Sequence, residues 1–357
     1  MSDSSLKYNR GTRLEATSGV FPSPSESIRF IVTLMSTLIT IHKAILFGAR
    51  DLRLETEEVD LLTLGEKQVF VETEISALST GTDLANYQGR SREVPGAPDY
   101  PRWVGYNNVG IIRHCGSAVT RFTPGQRVFS PKPHQSGYVA DESDLLVPVP
   151  EGASAEVAAL AYLTNLGVSA LRQTRFEEGE HVAVVGLGVI GLCTVAIARA
   201  MGAQVTAIAN SPFRRDLALQ VGAHQAFLNG EAGTINANIV VLTANTWPAY
   251  RESIDLCGYE GRIAVLGFPG RAQPAPGFNP LDMSWLYGKQ LTITGAGHCP
   301  PDLRAPQLEG IFAHAAAGRL RLQPVITHRF AWRELAKAYE LALTHSKEMS
   351  AAIFDWR

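Results

Sequence analysis

The chain's clearest chemistry lies in three glycines, Gly186, Gly188 and Gly191, spaced G-x-G-x-x-G. In that order the first permits a tight turn and the second lets backbone amides approach a pyrophosphate. The third lets a helix pack closely on a strand. Val189 and Ile190 lie between them, where the following helix turns its N-terminus to an anion. Before the motif, Val182 to Val185 is apolar and β-branched, as in a strand buried on both faces of a parallel sheet. Behind it, Leu192 to Met201 is helix-forming and stops at Gly202, and Gln204 to Ala209 reads as the next strand. Strand, glycine turn, helix and strand together predict a dinucleotide site; a glycine-rich turn alone would not need flanks this regular.

The end of that second strand bears on cofactor choice. A carboxylate there would accept from the ribose 2′-hydroxyl of NAD. This chain has Asn210, followed by Ser211, Arg214 and Arg215. A neutral amide, a hydroxyl and two guanidiniums suit a 2′-phosphate, so NADP(H) is expected; the same arginines also fit a solvated helix start. Thr243 and Gly267 close two later strand-like runs, Ile239–Thr243 and Ile263–Gly267, and are assigned to the same cofactor edge.

The elements that must hold this site follow from length and pattern. The 357 residues suffice for two domains, and 45% hydrophobic with 18% charged residues is the composition of a soluble globular enzyme. A net charge of -2, with no basic run, gives no electrostatic case for nucleic acid or a membrane surface. Cys115, Cys193, Cys257 and Cys299 are scattered without a C-x-x-C pair, which argues against a disulfide framework or a cysteine-rich zinc site and fits a reducing cytoplasm. Met1 to Ser27 is rich in Ser, Pro and Gly and is read as disordered; Ile28 to Ile41 is too short to span a bilayer. Residues 1–40 are therefore treated as an extension, with Met35 an alternative start.

From Lys43 to Pro150 short strands alternate with Gly/Pro turns: Lys43–Phe47, Gln68–Ala77, Asn108–His114, Arg127–Phe129 and Leu145–Pro148. Helical patterning covers Ala153 to Tyr162 and Asn165 to Arg172. Later helices are expected at Arg214–Val221, Ala249–Leu256, Leu308–Gly318 and Glu334–Leu343. Ile326–Phe330 and Ala352–Trp356 read as strands returning to the first domain. The fold class is α/β: an irregular β domain followed by a doubly wound parallel sheet.

A β domain followed by a nucleotide domain resembles the medium-chain dehydrogenase/reductase family. Ser79–Thr80–Gly81–Thr82–Asp83 is similar to its C-G-T-D signature, and Gly105–Tyr106–Asn107–Asn108–Val109–Gly110 to its G-H-E-x-x-G. Pro124–Gly125–Gln126–Arg127–Val128 matches its P-G-D-R-V turn, and Thr164 its threonine beneath the nicotinamide. The resemblance spans residues 42 to 357. It implies a GroES-like catalytic domain over 41–163 and 298–357 and a Rossmann domain over 164–297. In the family a catalytic zinc is held by Cys, His and Cys; the matching positions here are Thr80, Tyr106 and Leu160, with Asn107 for the neighbouring Glu. None is a thiolate or imidazole, so no metal is expected. The chain looks closest to a zinc-free branch that includes the bacteriochlorophyllide hydroxyethyl dehydrogenase.

Without a Lewis acid, hydrogen-bond donors must stabilise a developing alkoxide or enolate. Tyr106 stands in a ligand's place, and either turns its hydroxyl into the cleft or fills the metal's volume. Thr82 matches the family's hydroxyl relay; Thr80 and Asn107 add polar contacts, or Thr80 caps the turn at Gly81. Asp83 is expected to orient its neighbours. His298, after Gly295–Ala296–Gly297, could donate a proton or be a solvated loop residue; His134, His328 and Cys299 have weaker claims. Trp103, Trp247, Trp285, Tyr287 and Phe268 suggest an apolar pocket.

The leading expectation is a zinc-independent NADP(H) oxidoreductase on a small-molecule carbonyl/alcohol pair. The alternatives are enoyl (C=C) or quinone reduction, and non-catalytic NADP(H) binding. The edge strand Leu291–Thr294 predicts a homodimer or tetramer.

Overall fold

The apolar β-branched runs become strands, and the alanine- and leucine-rich runs between them become helices. The computed structural model describes residues 37–90, 99–271, 273–345 and 347–357. The readings made for residues 1–36 lie outside the described residues. The chain opens with β1 (Leu38–Gly48) and β2 (Asp51–Asp60), followed by β3 (Gln68–Ala77), a short helix α1 (Thr82–Tyr87), β4 (Arg102–Trp103), β5 (Asn108–Cys115), β6 (Arg127–Ser130), β7 (Gly137–Asp141) and β8 (Val147–Pro148). Helices α2 (Ala155–Ala158) and α3 (Ala161–Gln173) lead to the second sheet. That sheet's elements are β9 (His181–Val185), α4 (Val189–Ala200), β10 (Gln204–Ala209), α5 (Pro212–Gln220), β11 (Gln225–Leu228), β12 (Ala237–Leu242), α6 (Trp247–Leu256), β13 (Cys257–Val265), α7 (Met283–Lys289) and β14 (Thr292–Gly295). The chain closes with α8 (Pro301–Ala316), β15 (Ile326–Ala331), α9 (Leu335–Thr344) and β16 (Ala351–Asp355).

β1, β2 and β4 form a small antiparallel sheet; β15-β16-β3-β5-β6-β8 form a larger one, with β7 also paired to β3. β16 lies antiparallel to β3, with Ile353 opposite Ala77, so the end of the chain completes the first domain's sheet. The six strands β11-β10-β9-β12-β13-β14 are parallel throughout. Strand order reverses between β9 and β12, which opens a crevice beyond their carboxyl ends, where α/β sheets bind ligands. This is the α/β fold expected from the sequence: a GroES-like β domain with a Rossmann-like parallel sheet.

One core runs through both domains. Val182, Val184, Val205 and Val241 of the parallel sheet, Leu192 and Val195 of α4, and Leu160 and Leu163 beside them are all buried, together with Val109 and Ile353 of the catalytic sheet. The continuous helix read over Ala153–Tyr162 is instead two. α2 ends at Ala158, the backbone of Leu160 leaves helical geometry (φ -95°, ψ 2°), and α3 restarts at Ala161. Ala159 and Leu160 are wholly buried at this break, so packing against the sheet sets the direction of each helix where local pattern sees one run. The expected helix over Arg214–Val221 begins earlier, at Pro212, because Ser211 caps it and proline suits the first helical turn.

All four cysteines are free. Among the described residues no helix is long and apolar enough to cross a membrane.

Candidate active site

A cleft of about 690 Å³ opens where the two domains meet. The catalytic domain contributes Ser79, Thr80, Gly81 and Thr82; the nucleotide domain contributes the glycine turn, the ends of β12, β13 and β14, and the loops after them.

The glycine turn behaves as its spacing predicts. Gly186 has φ 91°, and a Cβ there would come within 2.7 Å of Ala244. A Cβ on Gly191 would stand 2.0 Å from the Gly186 carbonyl oxygen, so helix α4 can approach the turn this closely only with glycine. Around Gly188 nothing among the described residues lies within 4 Å of a Cβ position, which leaves open space beside the backbone. Gly188 also caps α4 without a side-chain partner for the first-turn amides. Gly188, Val189, Ile190 and Gly191 all line the cleft. Thr243 and Gly267 follow β12 and β13 and line it too; the Thr243 hydroxyl donates to the Gly186 carbonyl and closes the turn. A cradle of open glycine backbone at a helix N-terminus fits the pyrophosphate of a dinucleotide.

At the catalytic end the deciding group is a carboxylate. Asp83 is fully buried, and its two oxygens accept the backbone N–H of Ser79 (2.9 Å) and of Gly105 (3.1 Å). It thus ties the loop before α1 to the loop before β5. That tie brings Tyr106, next to Gly105, against Ser79, and the Tyr106 hydroxyl donates to Ser79 Oγ. The ring of Tyr106 packs edge-on to Tyr162, 5.7 Å between centroids. Burial, then the nearby Asp83 carboxyl, pushes the Tyr106 phenol far above its ordinary range, so it stays a protonated donor. Burial pushes Asp83 up to about 7 against the pull of its two amide donors. Beneath Gly105, His134 packs so closely that a Cβ on Gly105 would meet its ring at 2.6 Å. Its Nδ1 pairs with Ser76 Oγ (2.8 Å), and burial lowers its pKa to about 3, so it is a neutral structural imidazole.

Two protein-family models match the chain: the alcohol dehydrogenase GroES-like domain over residues 65–162 and the zinc-binding dehydrogenase over residues 189–303. The chain belongs to the zinc-type alcohol dehydrogenase family. An L-threonine 3-dehydrogenase of Bacillus licheniformis is 35% identical over 184 residues, 47% of this chain and 49% of that protein. The chain thus matches about half the length of that relative. An L-threonine 3-dehydrogenase of Rhizobium etli is 25% identical over 88% of this chain and 98% of its own length. Galactitol-1-phosphate dehydrogenase from Escherichia coli has the same fold, with a TM-score of 0.76 at 19% identity over 88% of this chain and 99% of that one. The relatives are oxidoreductases, and the family uses a nicotinamide cofactor.

The family's zinc does not fit the donors found. Thr80 and Tyr106 offer hydroxyls, and Leu160 is a buried hydrocarbon in the core. Among the described residues no group of three or more His, Cys, Asp or Glu could hold a metal ion.

Several residues picked from the sequence stand elsewhere than expected. Thr164 is wholly buried and returns its hydroxyl to the Leu160 carbonyl (2.9 Å); Leu163 and Leu166 line the cleft in its place. Asn107 is buried behind the cleft, its Nδ2 3.5 Å from the Ala77 carbonyl oxygen. Ser211 caps α5, and Arg214 donates to the Leu187 and Met349 carbonyls, because the fold folds its guanidinium under the glycine turn. Arg215 pairs with Asp216, and Asn210 is exposed at the end of β10. Thr80, Thr82 and His298 line the cleft, whereas His328 lies on β15, paired with Thr327. Cys299 is buried against Gln307 (3.1 Å). Of the five aromatic residues proposed for a pocket, Phe268 alone lines the cleft. Trp247 and Trp285 pack with Phe278, and Trp103 and Tyr287 are exposed. Sequence reasoning gave no role to Ser79, although it begins the S-T-G-T-D motif. It also overlooked Asn245, whose Oδ1 accepts from the Phe268 amide (2.7 Å), and Arg271 at the cleft wall.

Asp83 sets a pH dependence of stability. The unfolded carboxyl loses its proton near pH 4, whereas the folded one keeps it to about 7, so the unfolded state binds fewer protons in between. Stability conferred at this site should therefore fall as pH rises through that window, by roughly 1.4 kcal/mol per pH unit. Urea titrations from pH 5 to 8 should show this slope in the wild type and a flatter one in Asp83→Asn. A wild-type slope no steeper than the variant's would mean that the two amides hold the carboxyl ionised.

Proposed function

We propose that this chain is a zinc-independent, NADP(H)-dependent oxidoreductase that moves a hydride between nicotinamide and a small or medium organic carbonyl/alcohol pair, as a member of the zinc-free branch. The observation that carries the reading is the Tyr106–Ser79 hydroxyl pair, set by Asp83, in which Ser79 lines the cleft and Tyr106 holds its hydroxyl from behind at a position that the family resemblance gives to a metal ligand.

The nicotinamide, when bound, supplies or accepts the hydride. The chain's own residues manage the oxygen. Ser79 Oγ accepts from Tyr106, which leaves the Ser79 hydrogen to donate to a substrate oxygen. A donor that is itself polarised by a second donor is the stronger one. Thr80 and Thr82 lie on the same wall and are assigned as further donors to a developing alkoxide. His298 lines the cleft and is assigned the proton that the alkoxide takes up. No ionisation of Tyr106 is needed, since burial holds it as a phenol.

Ser79→Ala should lower kcat by about 10²- to 10³-fold, the usual cost of one lost oxyanion donor, with Tyr106→Phe falling less. The assay follows NADPH absorbance across a panel of aldehydes, ketones and enones, with product analysis. An unsaturated alcohol from an enone fits carbonyl chemistry; a saturated ketone would replace this reading with C=C reduction. An undiminished Ser79→Ala rate, or stoichiometric zinc by elemental analysis, would remove the proposed role of the hydroxyl pair.

The preference for NADP(H) rests on Asn210 in place of a carboxylate, with Arg215 close by on α5. Asn210→Asp with Arg215→Ala should weaken NADPH by about tenfold or more through one lost charge-assisted contact and one new repulsion, with NADH level or tighter. Isothermal titration of both cofactors reads this, and tighter NADH binding by the wild type would reverse the assignment.

The assembly is assigned as a homodimer or a dimer of dimers. Among the described residues β14 leaves one edge of the parallel sheet unpaired, and Leu281, Met283 and Tyr287 just before it are 64%, 63% and 80% exposed. Sedimentation at micromolar concentration should give twice the chain mass or more, and Tyr287→Glu should shift it toward monomer. A wild-type monomer would overturn the assignment.

A further inference from the structure

Arg214 reaches from α5 to two carbonyls on either side of the domain boundary. Nη1 donates to Leu187 (2.8 Å) and Nη2 to Met349 (3.2 Å). Leu187 is the residue between the first two glycines of the motif, and its side chain is buried in the core. Met349 is buried in the catalytic domain, two residues before β16. The domains pack together here, since both α4 and α5 meet the turn Gln323–Val325 that leads into β15.

The clasp acts on one peptide unit. The Leu187–Gly188 bond is trans, so its C=O and N–H point in opposite directions. Holding the Leu187 oxygen on Arg214 fixes the heading of the Gly188 N–H. Gly188 lines the cleft, caps α4 and has open space beside it. A carbonyl free to turn there could present its oxygen to an anion and repel it. Arg214 is half-buried, and that burial lowers the pKa of its guanidinium.

We propose that Arg214 is a positioning residue which, by fastening Leu187 of the glycine turn to Met349 of the catalytic domain, orients the Gly188 amide for the pyrophosphate of the dinucleotide and makes no contact with a 2′-phosphate. The proposal rests on the dinucleotide reading of the cleft, but not on the choice between NADP(H) and NAD(H).

Two fragments separate the possibilities on the full chain. ADP-ribose carries the pyrophosphate without a 2′-phosphate; 2′-AMP carries the 2′-phosphate without a pyrophosphate. Arg214→Ala should weaken ADP-ribose about tenfold, the scale of one lost charge-assisted hydrogen bond, and leave 2′-AMP unchanged. Arg214→Lys keeps the charge and can reach one carbonyl, so its ADP-ribose affinity should lie between wild type and alanine. Selective loss of 2′-AMP, or unchanged ADP-ribose binding in both variants, overturns the proposal. If circular dichroism shows that the alanine variant does not fold, the lysine variant decides by the same outcomes. A wild type that binds ADP-ribose but not 2′-AMP removes the NADP(H) reading and leaves the clasp to be judged on ADP-ribose. A wild type that binds neither fragment removes both.

Discussion

The catalytic end of the cleft depends on one buried carboxylate. Two loops far apart in sequence, one before α1 and one before β5, meet because Asp83 accepts a backbone amide from each. Burying a carboxyl costs free energy that two amide donors only partly offset, and its raised pKa is the trace of that imbalance. What the cost secures is register. Ser79, which lines the cleft, and Tyr106 come into hydrogen-bond contact. His134 supports the same corner from beneath, filling the space that only a glycine at position 105 leaves open.

The cofactor end is governed by steric exclusion. Three backbone segments, the glycine turn, the start of α4 and the residues after β12, converge to distances at which a single methyl group at Gly186 or Gly191 would collide. The Thr243 hydroxyl and the Arg214 guanidinium then occupy carbonyls of that turn, at Gly186 and Leu187. Carbonyls so engaged leave the amide side of the turn to the ligand. The two ends of the cleft thus share a strategy: polar backbone is oriented by buried side chains, and the groups left over face the ligand.

Much of this was legible in the residues. β3 and β10 run over the residues read as strands, where β-branched and apolar residues are bounded by turn signals. The glycine motif announced its own geometry, since the collisions it avoids are local. β2 (Asp51–Asp60) is not legible because its apolar alternation stops after Leu52 and Leu54 and its centre, from Arg53 to Glu58, is exposed where it pairs with β1. β7 and β11, of five and four residues, are set by their pairing with β3 and β10.

By itself the sequence determined the two-part α/β architecture and the glycine turn between a buried strand and a helix. These follow from residue type and short-range spacing. Only the tertiary structure decided what each polar side chain does. Arg214 reads as a phosphate ligand from its neighbours in sequence, yet the fold brings the carbonyls of Leu187 and Met349 to it. Thr164 reads as a cofactor contact, yet helix α3 turns its hydroxyl back on Leu160. Ser79 has no signal of its own beside two threonines, yet the bonds of Asp83 bring it to the Tyr106 hydroxyl at the cleft wall. A hydrogen bond joins whatever the fold brings within about 3 Å. The partners here lie up to 135 residues away, and spacing along the chain carries no record of them.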